Sequence, residues 1–429
     1  MIRRLAVPPF ENLRPFLPQQ GGSDPATREL VARILDDVRG RGDDAVRQYT
    51  REFDGVDLPP AEWELKHESW QGALDRISGE LHEALQLAID RVRSYHERQR
   101  DPGFRITEPD GTQLGMKVTP LDRVGVYVPG GKASYPSSVI MNAIPALVAG
   151  VQEIVAVVPP AGVTDVVLAA CALAGVTRIF RVGGAQAVAA LAYGTRTIPR
   201  VDKIVGPGNR WVAEAKRQAA GQVGIDLIAG PTEVLVLADH TANPDRVAAD
   251  LIAQAEHDED AAAWCVTPAP ALADALPDAL ERALARAPRA AIARTALERN
   301  GLVVVVPSIR EAIEVANLRA PEHLEIVAEG AERIASGIRH AGAIFLGDDT
   351  PEPVGDYVAG PSHVLPTAGT ARFASPLGVY DFVKRTSVIR YSRERLAADA
   401  HLIIALAEAE GLAGHAEAVR IRTGGHPQD

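Results

Sequence analysis

Between Val124 and Asn209 a short run rich in β-branched residues gives way three times to a glycine turn and then to helix-forming sequence. The turns are Val128-Pro-Gly-Gly131, Val182-Gly-Gly-Ala-Gln186 and Val205-Gly-Pro-Gly-Asn209. Strand, turn and helix in repetition describe a parallel sheet, because parallel strands need long crossover connections and helices supply them. The alternation predicts strands at Val124–Val128, Ile154–Val158, Arg178–Val182, Lys203–Val205, Glu233–Ala238, Ala263–Thr267, Leu302–Val306 and Ala343–Leu346, with a helix over Pro244–His257. The expected class is α/β with two sheets, divided near Gly230-Pro231. Glycine at such turns lets the backbone approach a ligand, and the N-H groups of the following helix favour an anion such as a pyrophosphate. A βα turn also needs glycine for its own geometry. Three such turns together favour a nucleotide or dinucleotide, although the GxGxxG fingerprint is absent and an ordinary dinucleotide fold does not follow.

The flanks read differently. Asp24 can cap a helix that starts at Pro25, with Leu30, Ile34 and Val38 at one-turn spacing. Trp70, Leu74, Ile77, Leu81, Leu85, Ala88, Val92 and Tyr95 form a helical stripe that Gly79 can divide in two, and packing alone accounts for it. The end of the chain, polar and then helical from about Arg393, reads as a separate tail. A chain of 429 residues is long for one ordinary domain.

Its formal charge of −11 repels phosphate backbones and anionic lipid, so neither nucleic acid nor a membrane surface is an expected partner. The apolar stretch from Ile154 to Val176 is broken by Pro159, Pro160, Gly162 and Asp165, too often for a membrane span. No export signal is read at the start of the chain. Cys171 and Cys265 are far apart with no CxxC spacing, which points to a reducing compartment, the cytoplasm, and to no disulfide framework.

Four polar clusters remain. Gln254-Ala-Glu-His257 places Gln254 and His257 at i and i+3, near enough on one helix face to share a ligand, although Gln is an uncommon zinc ligand. Glu322 and His323 are adjacent proton acceptors that could serve successive proton transfers. Asp356, in Gly355-Asp356-Tyr357, and His363, in Gly360-Pro-Ser-His363, sit in a Gly/Pro-rich loop. His415 follows Glu410 by five residues in the Ala-rich tail. Taken singly, each is more often ordinary surface.

Taken together, these segments resemble the histidinol dehydrogenase family along essentially the whole chain. The resemblance is carried by Tyr127-Val-Pro-Gly-Gly131, Gly183-Gly-Ala-Gln-Ala187, Val205-Gly-Pro-Gly-Asn209, Ile228-Ala-Gly-Pro-Thr-Glu233, Gln254-Ala-Glu-His257, Pro321-Glu-His-Leu-Glu325, Asp356-Tyr357, His363-Val-Leu-Pro-Thr367 and His415.

The resemblance implies one zinc ion per subunit, held by Gln254, His257 and Asp356 with His415 from the partner subunit of a homodimer. It implies that L-histidinol completes the coordination through its imidazole and amino nitrogens. Substrate contacts fall to the same four residues and to Glu322, His323, His363, Glu410 and Thr232, the last standing where many members carry serine. Tyr127, Gln186 and Asn209 are implied for NAD. The implied reaction is a four-electron oxidation of histidinol through the aldehyde to histidine, in histidine biosynthesis, with two NAD. His323 serves as base for hydride transfer, Glu322 activates water, and neither cysteine is needed.

The implied architecture is two incomplete Rossmann-like domains. One spans 25–126 and 234–376 with the zinc ligands and bases; the other, 127–233, binds NAD. Residues 1–24 form an N-terminal segment, and 377–429 a tail exchanged in the dimer. Two other readings compete: a zinc- and NAD-dependent dehydrogenase of another small polar alcohol, and a non-catalytic nucleotide-binding regulatory protein. The complete set of bases and ligands argues against the second.

Overall fold

All six residues of the strand Glu233–Ala238 are buried, as befits the centre of a sheet covered on both faces. The computed structural model describes residues 2–17, 23–130 and 134–424. It places this strand in a six-stranded sheet with the order Arg3–Ala6, Leu302–Val305, Ala262–Thr267, Glu233–Ala238, His323–Val327, Ala343–Leu346, parallel throughout. Side chains alternate between faces with the period of two that a strand imposes. Val234 and Val236 pack under one helical layer with Leu251 and Leu276, while Leu235 and Leu237 pack on the other face with Val315 and Ile334.

A second parallel sheet, five-stranded, has the order Arg178–Phe180, Glu153–Val157, Arg123–Tyr127, Lys203–Val205, Gly224–Ile225. In both sheets the chain first builds outward on one side and then crosses to the other. The reversal falls between Arg123–Tyr127 and Lys203–Val205 in the smaller sheet, and between Glu233–Ala238 and His323–Val327 in the larger. Such switch points open crevices where adjacent connections diverge.

Every strand expected from the sequence forms, within a residue or two at most ends. The capping at Asp24 also forms, its carboxylate accepting from Thr27 N with Pro25 as the first helical residue. Ser78 caps the helix Gly79–Glu97, so the long apolar stripe does divide at Gly79. Cys171 and Cys265 are free and buried, and burial pushes both thiols up to about 12. No helix among the described residues is long and apolar enough to cross a membrane.

The expected domain limits differ from the packing. The expected boundaries put residues 25–54 with the larger sheet, yet their helices bury Val31, Ile34, Val38 and Tyr49 against Val155, Val188 and Ile204 of the smaller one. The strand Arg123–Tyr127, split by the expected boundary, is central to the smaller sheet. The N-terminal segment is no mere leader to the helices: Arg3–Ala6 pairs in parallel with Leu302–Val305 as an edge strand. Part of that segment, 18–22, lies outside the described residues, as does Gly131 of the first glycine turn.

The chain divides into two units: 1–99 with 121–382, which holds both parallel sheets, and 100–120 with 383–429. The tail therefore starts nearer 383 than 377, since Val379 and Phe382 are buried in the first unit's core. Its partner is a segment to which the sequence pattern assigns no element. Val383–Arg390 pairs antiparallel with Gln113–Pro120, which pairs with Phe104–Thr107, and the helices Arg393–Ala409 and Ala413–Thr423 complete the second unit.

Candidate active site

Within the first unit a cavity of about 600 Å³ lies at the switch point of the smaller sheet, against one end of the two central strands of the larger. The smaller sheet contributes the carboxyl ends of its strands, through Tyr127 and the Gly206–Asn209 turn. The larger sheet contributes the amino ends, through Thr232, Glu322 and His323.

His323 opens a buried strand that the sequence pattern does not announce, and the residue is 3% exposed. The preceding helix ends at Arg319; Ala320 then takes a left-handed turn at φ 48° and Pro321 leads into the strand. Nδ1 of His323 lies 3.1 Å from the main-chain carbonyl of Glu233. A carbonyl only accepts, so Nδ1 carries the hydrogen and Nε2 keeps its lone pair. That Nε2 is buried without a protein partner among the described residues. Burial pushes the imidazole down to about 4, against the opposing charge of Asp356, so the ring is a neutral base at physiological pH.

Glu322 is held by the same residue from the other side of its peptide. Oε2 accepts from Glu233 N at 2.9 Å and from Thr232 Oγ1 at 2.7 Å. Burial pushes its carboxyl up to about 8; these two hydrogen bonds pull the other way, and the charges of Glu233 and Asp356 add to the rise. The Glu233 side chain is itself anchored, its carboxylate paired with the buried Arg319 guanidinium and accepting from Ala368 N at 3.1 Å.

A donor set stands beside these bases. Ligand atoms of His257, Glu352 and Asp356 lie within 4.8 Å of one another. Gln254 is fully buried; its Nε2 donates to Thr232 Oγ1 at 2.9 Å, and its Oε1 has no partner among the described residues. An orphaned buried carbonyl oxygen with an imidazole and carboxylates nearby fits a divalent metal such as zinc. The helix carrying Gln254 stops at Ala255, so His257 is not on its face as the i, i+3 spacing suggested. A tightened last turn, His257 N to Gln254 O at 3.3 Å, keeps the two close instead.

Glu352 has no counterpart among the residues expected from the sequence. It opens the helix Glu352–Tyr357, buried, with Oε1 3.7 Å from His323 Nδ1 and Oε2 unpartnered among the described residues, and burial raises its carboxyl well above the usual range. The signal available was Glu352 and Asp356 at i and i+4, one helical turn apart behind a proline.

The residues implied for NAD are distributed unevenly. Tyr127 lines the cavity and its hydroxyl accepts from Gly184 N at 3.1 Å. Asn209 also lines it while capping the helix Arg210–Ala219, its Oδ1 accepting from Trp211 N and Val212 N at 3.1 Å each. Gln186 is fully buried, does not line the cavity, and sits with Nε2 3.5 Å from Asp54 Oδ2. A further pair carries no sequence motif. Buried Lys216 and Asp226 form an ion pair in the cavity wall and grip both main-chain groups of Gly206: Asp226 Oδ2 accepts from its N-H at 2.7 Å, and Lys216 Nζ donates to its carbonyl at 3.0 Å. Gly206 has φ 107°, and a Cβ there would fall 2.2 Å from the Tyr127 carbonyl, so only glycine fits this turn.

His363 and Asp356 line the same cavity. Glu410 ends the helix Arg393–Ala409 and His415 lies on the helix that follows, both exposed in the second unit.

Two doubly wound sheets meeting at a cavity with a neutral imidazole base, a carboxyl of raised pKa and a metal-fit donor set define an α/β enzyme of acid–base chemistry. Comparison with known proteins narrows the class. Residues 18–423 match the family model for histidinol dehydrogenase. The chain is 53% identical to the histidinol dehydrogenase of Pseudomonas aeruginosa, over 98% of this chain and 97% of that one. It is 54% identical to that of Acinetobacter baylyi, over 93% and 94%. The crystal structure of histidinol dehydrogenase from Elizabethkingia anophelis superposes with a TM-score of 0.92 at 34% identity, covering 98% of each chain. The chain belongs to the histidinol dehydrogenase family, and is an oxidoreductase.

Proposed function

We propose that this enzyme oxidises L-histidinol to L-histidine through histidinaldehyde, as the closing steps of histidine biosynthesis in the cytoplasm, with one hydride passing to each of two NAD. The observation that carries the reading is the pair of bases at one cavity wall. His323 Nε2 is free to accept a proton, and Glu322 Oε1 is the oxygen left over once Oε2 is occupied.

In the first half-reaction His323 Nε2 takes the alcohol proton as hydride leaves the carbinol carbon. In the second, the Glu322 carboxylate takes a proton from the water that adds to the aldehyde, and His323 accepts the proton of the resulting hydrate as the second hydride departs. The raised pKa of Glu322 suits it to that task, since a stronger base is more effective at removing a proton from water. NAD supplies the hydride acceptor, with Tyr127, Asn209 and Gln186 as its proposed contacts. Gln254, His257 and Asp356 would hold zinc, which when bound would supply an anchor for the substrate. Thr232, His363 and Glu410 are proposed to complete the substrate shell.

We further propose a homodimer in which the partner subunit's His415 and Glu410 enter the site. The second unit supports this. Its three-stranded sheet leaves Phe104, Ile106, Val388 and Ile389 exposed, and its helices leave Leu402, Leu406 and Ile421 exposed. A small sheet with so little apolar burial is a poor independent fold, and an uncovered apolar surface of this kind fits a protein partner. The test of substrate is direct: purified enzyme with NAD is offered histidinol and a panel of other amino alcohols and diols. Oxidation of histidinol far ahead of the rest is expected, and equal or faster turnover of a non-imidazole alcohol would displace the reading.

A further inference from the structure

We infer that Thr232 is a positioning residue whose hydroxyl decides which atom of Gln254 is offered to the metal. The inference rests on the zinc reading above and on the direction of three consecutive hydrogen bonds. Glu233 N-H donates to Glu322 Oε2 at 2.9 Å, and Thr232 Oγ1 lies 2.7 Å from the same oxygen. The Glu233 N-H makes Oε2 an acceptor, and the carbonyl oxygen of a neutral carboxyl accepts better than its hydroxyl oxygen, so a proton on Glu322 is favoured on Oε1. Thr232 then donates its single hydrogen to Oε2 with Glu322 ionised or neutral.

With that hydrogen committed, the threonine oxygen can only accept. The Gln254 amide 2.9 Å away then has to present Nε2-H to it, which turns Oε1 away. Oε1 is buried and unpartnered among the described residues. A carbonyl oxygen can ligate a cation, whereas an amide nitrogen has no free lone pair to offer. Without the hydroxyl, nothing in this chain of bonds distinguishes the two ends of the amide. The threonine methyl takes no part, so serine should serve equally.

The experiment measures zinc affinity by chelator competition for the parent, Thr232→Val, Thr232→Ala and Thr232→Ser, with thermal melting of the zinc-free forms as the check on folding. Partners that orient a metal ligand typically contribute about 10–100-fold in affinity, so a loss of roughly that size is expected for Val and Ala, with Ser near the parent. In a Gln254→Ala background, Thr232→Val should lower the affinity no further. Either hydroxyl-free variant is decisive alone, so a folding failure of one leaves the other to decide. Parent-like zinc affinity in either folded hydroxyl-free variant overturns the inference, as does a Ser variant as weak as Val or an additive loss in the Gln254→Ala background. A parent chain that takes up no zinc overturns the metal reading and the inference with it.

Discussion

The Nδ1-H of His323 is donated to the main-chain carbonyl of Glu233, 3.1 Å away, and this one bond selects the tautomer that leaves Nε2, unpartnered among the described residues, as the base. The N-H of the same residue holds Glu322 Oε2, so a single amino acid at the start of a central strand orients both proposed bases through its backbone. Backbone groups in a sheet are rigid and cannot be altered by changing the side chain, which makes them good supports for catalytic groups.

Replacing His323 with Asn removes the proton acceptor in both half-reactions while keeping a polar side chain of moderate size. The expected loss in kcat is about 10²–10⁴-fold for histidinol and for supplied histidinaldehyde alike. Steady-state assays with each substrate check this, and near-normal turnover with either would remove His323 from its role.

Glu322 should control the second half-reaction and its pH dependence. The active form is the carboxylate, and its pKa is pushed up to about 8, so aldehyde oxidation should rise as pH increases through that region. Glu322→Gln should abolish the rise and depress aldehyde oxidation more than alcohol oxidation. A pH profile of histidinaldehyde oxidation that is flat across roughly two units centred on that pKa in the parent, or equal loss of both half-reactions in the variant, would contradict this.

Lys216→Met leaves the Asp226 carboxylate buried without its counter-ion and releases the carbonyl of Gly206. Breaking a buried pair by removing one member costs about 3–5 kcal/mol. Denaturant unfolding should show a loss of that order, and the loosened turn should raise KM for NAD more than it lowers kcat. Unchanged stability together with an unchanged KM would mean that the clamp does not shape the turn.

The proposed dimer is tested by complementation. Mixing His415→Ala chains with Gln254→Ala chains gives heterodimers in which one site bears both defects and the other bears neither. If the partner's His415 completes the site, activity should return, up to about half the parent level per heterodimer. A mixture that exchanges subunits and stays inactive would restrict His415 to its own chain.

The sequence is most informative where local signals and burial agree. Glu233–Ala238 is apolar after its first residue and buried throughout, and its limits are legible to the residue. His323–Val327 is not, because His-Leu-Glu-Ile-Val places two polar side chains among its five residues, and these are buried for reasons of chemistry. Phe104–Thr107 and Gln113–Pro120 escape because their exposed positions erase the hydrophobic pattern, and their partner strand is distant in the chain. The candidate site is legible largely through family resemblance. Gln254 alone is an improbable ligand, and what supports it, an Oε1 without a partner among the described residues, is a property of the fold. Glu352 and the Lys216–Asp226 pair match no motif, since burial distinguishes them from surface charges and single-letter sequence does not carry it.

In the proposed reaction one site carries out both oxidations, with zinc anchoring the substrate. Its most direct measurement is the number of NADH formed per histidinol consumed, in the zinc-loaded enzyme and after zinc removal and restoration. Two NADH per histidinol are expected without accumulation of free aldehyde, with loss of turnover when zinc is removed and recovery of both when it is returned. One NADH per histidinol with aldehyde released, or full turnover in the zinc-free enzyme, would contradict it.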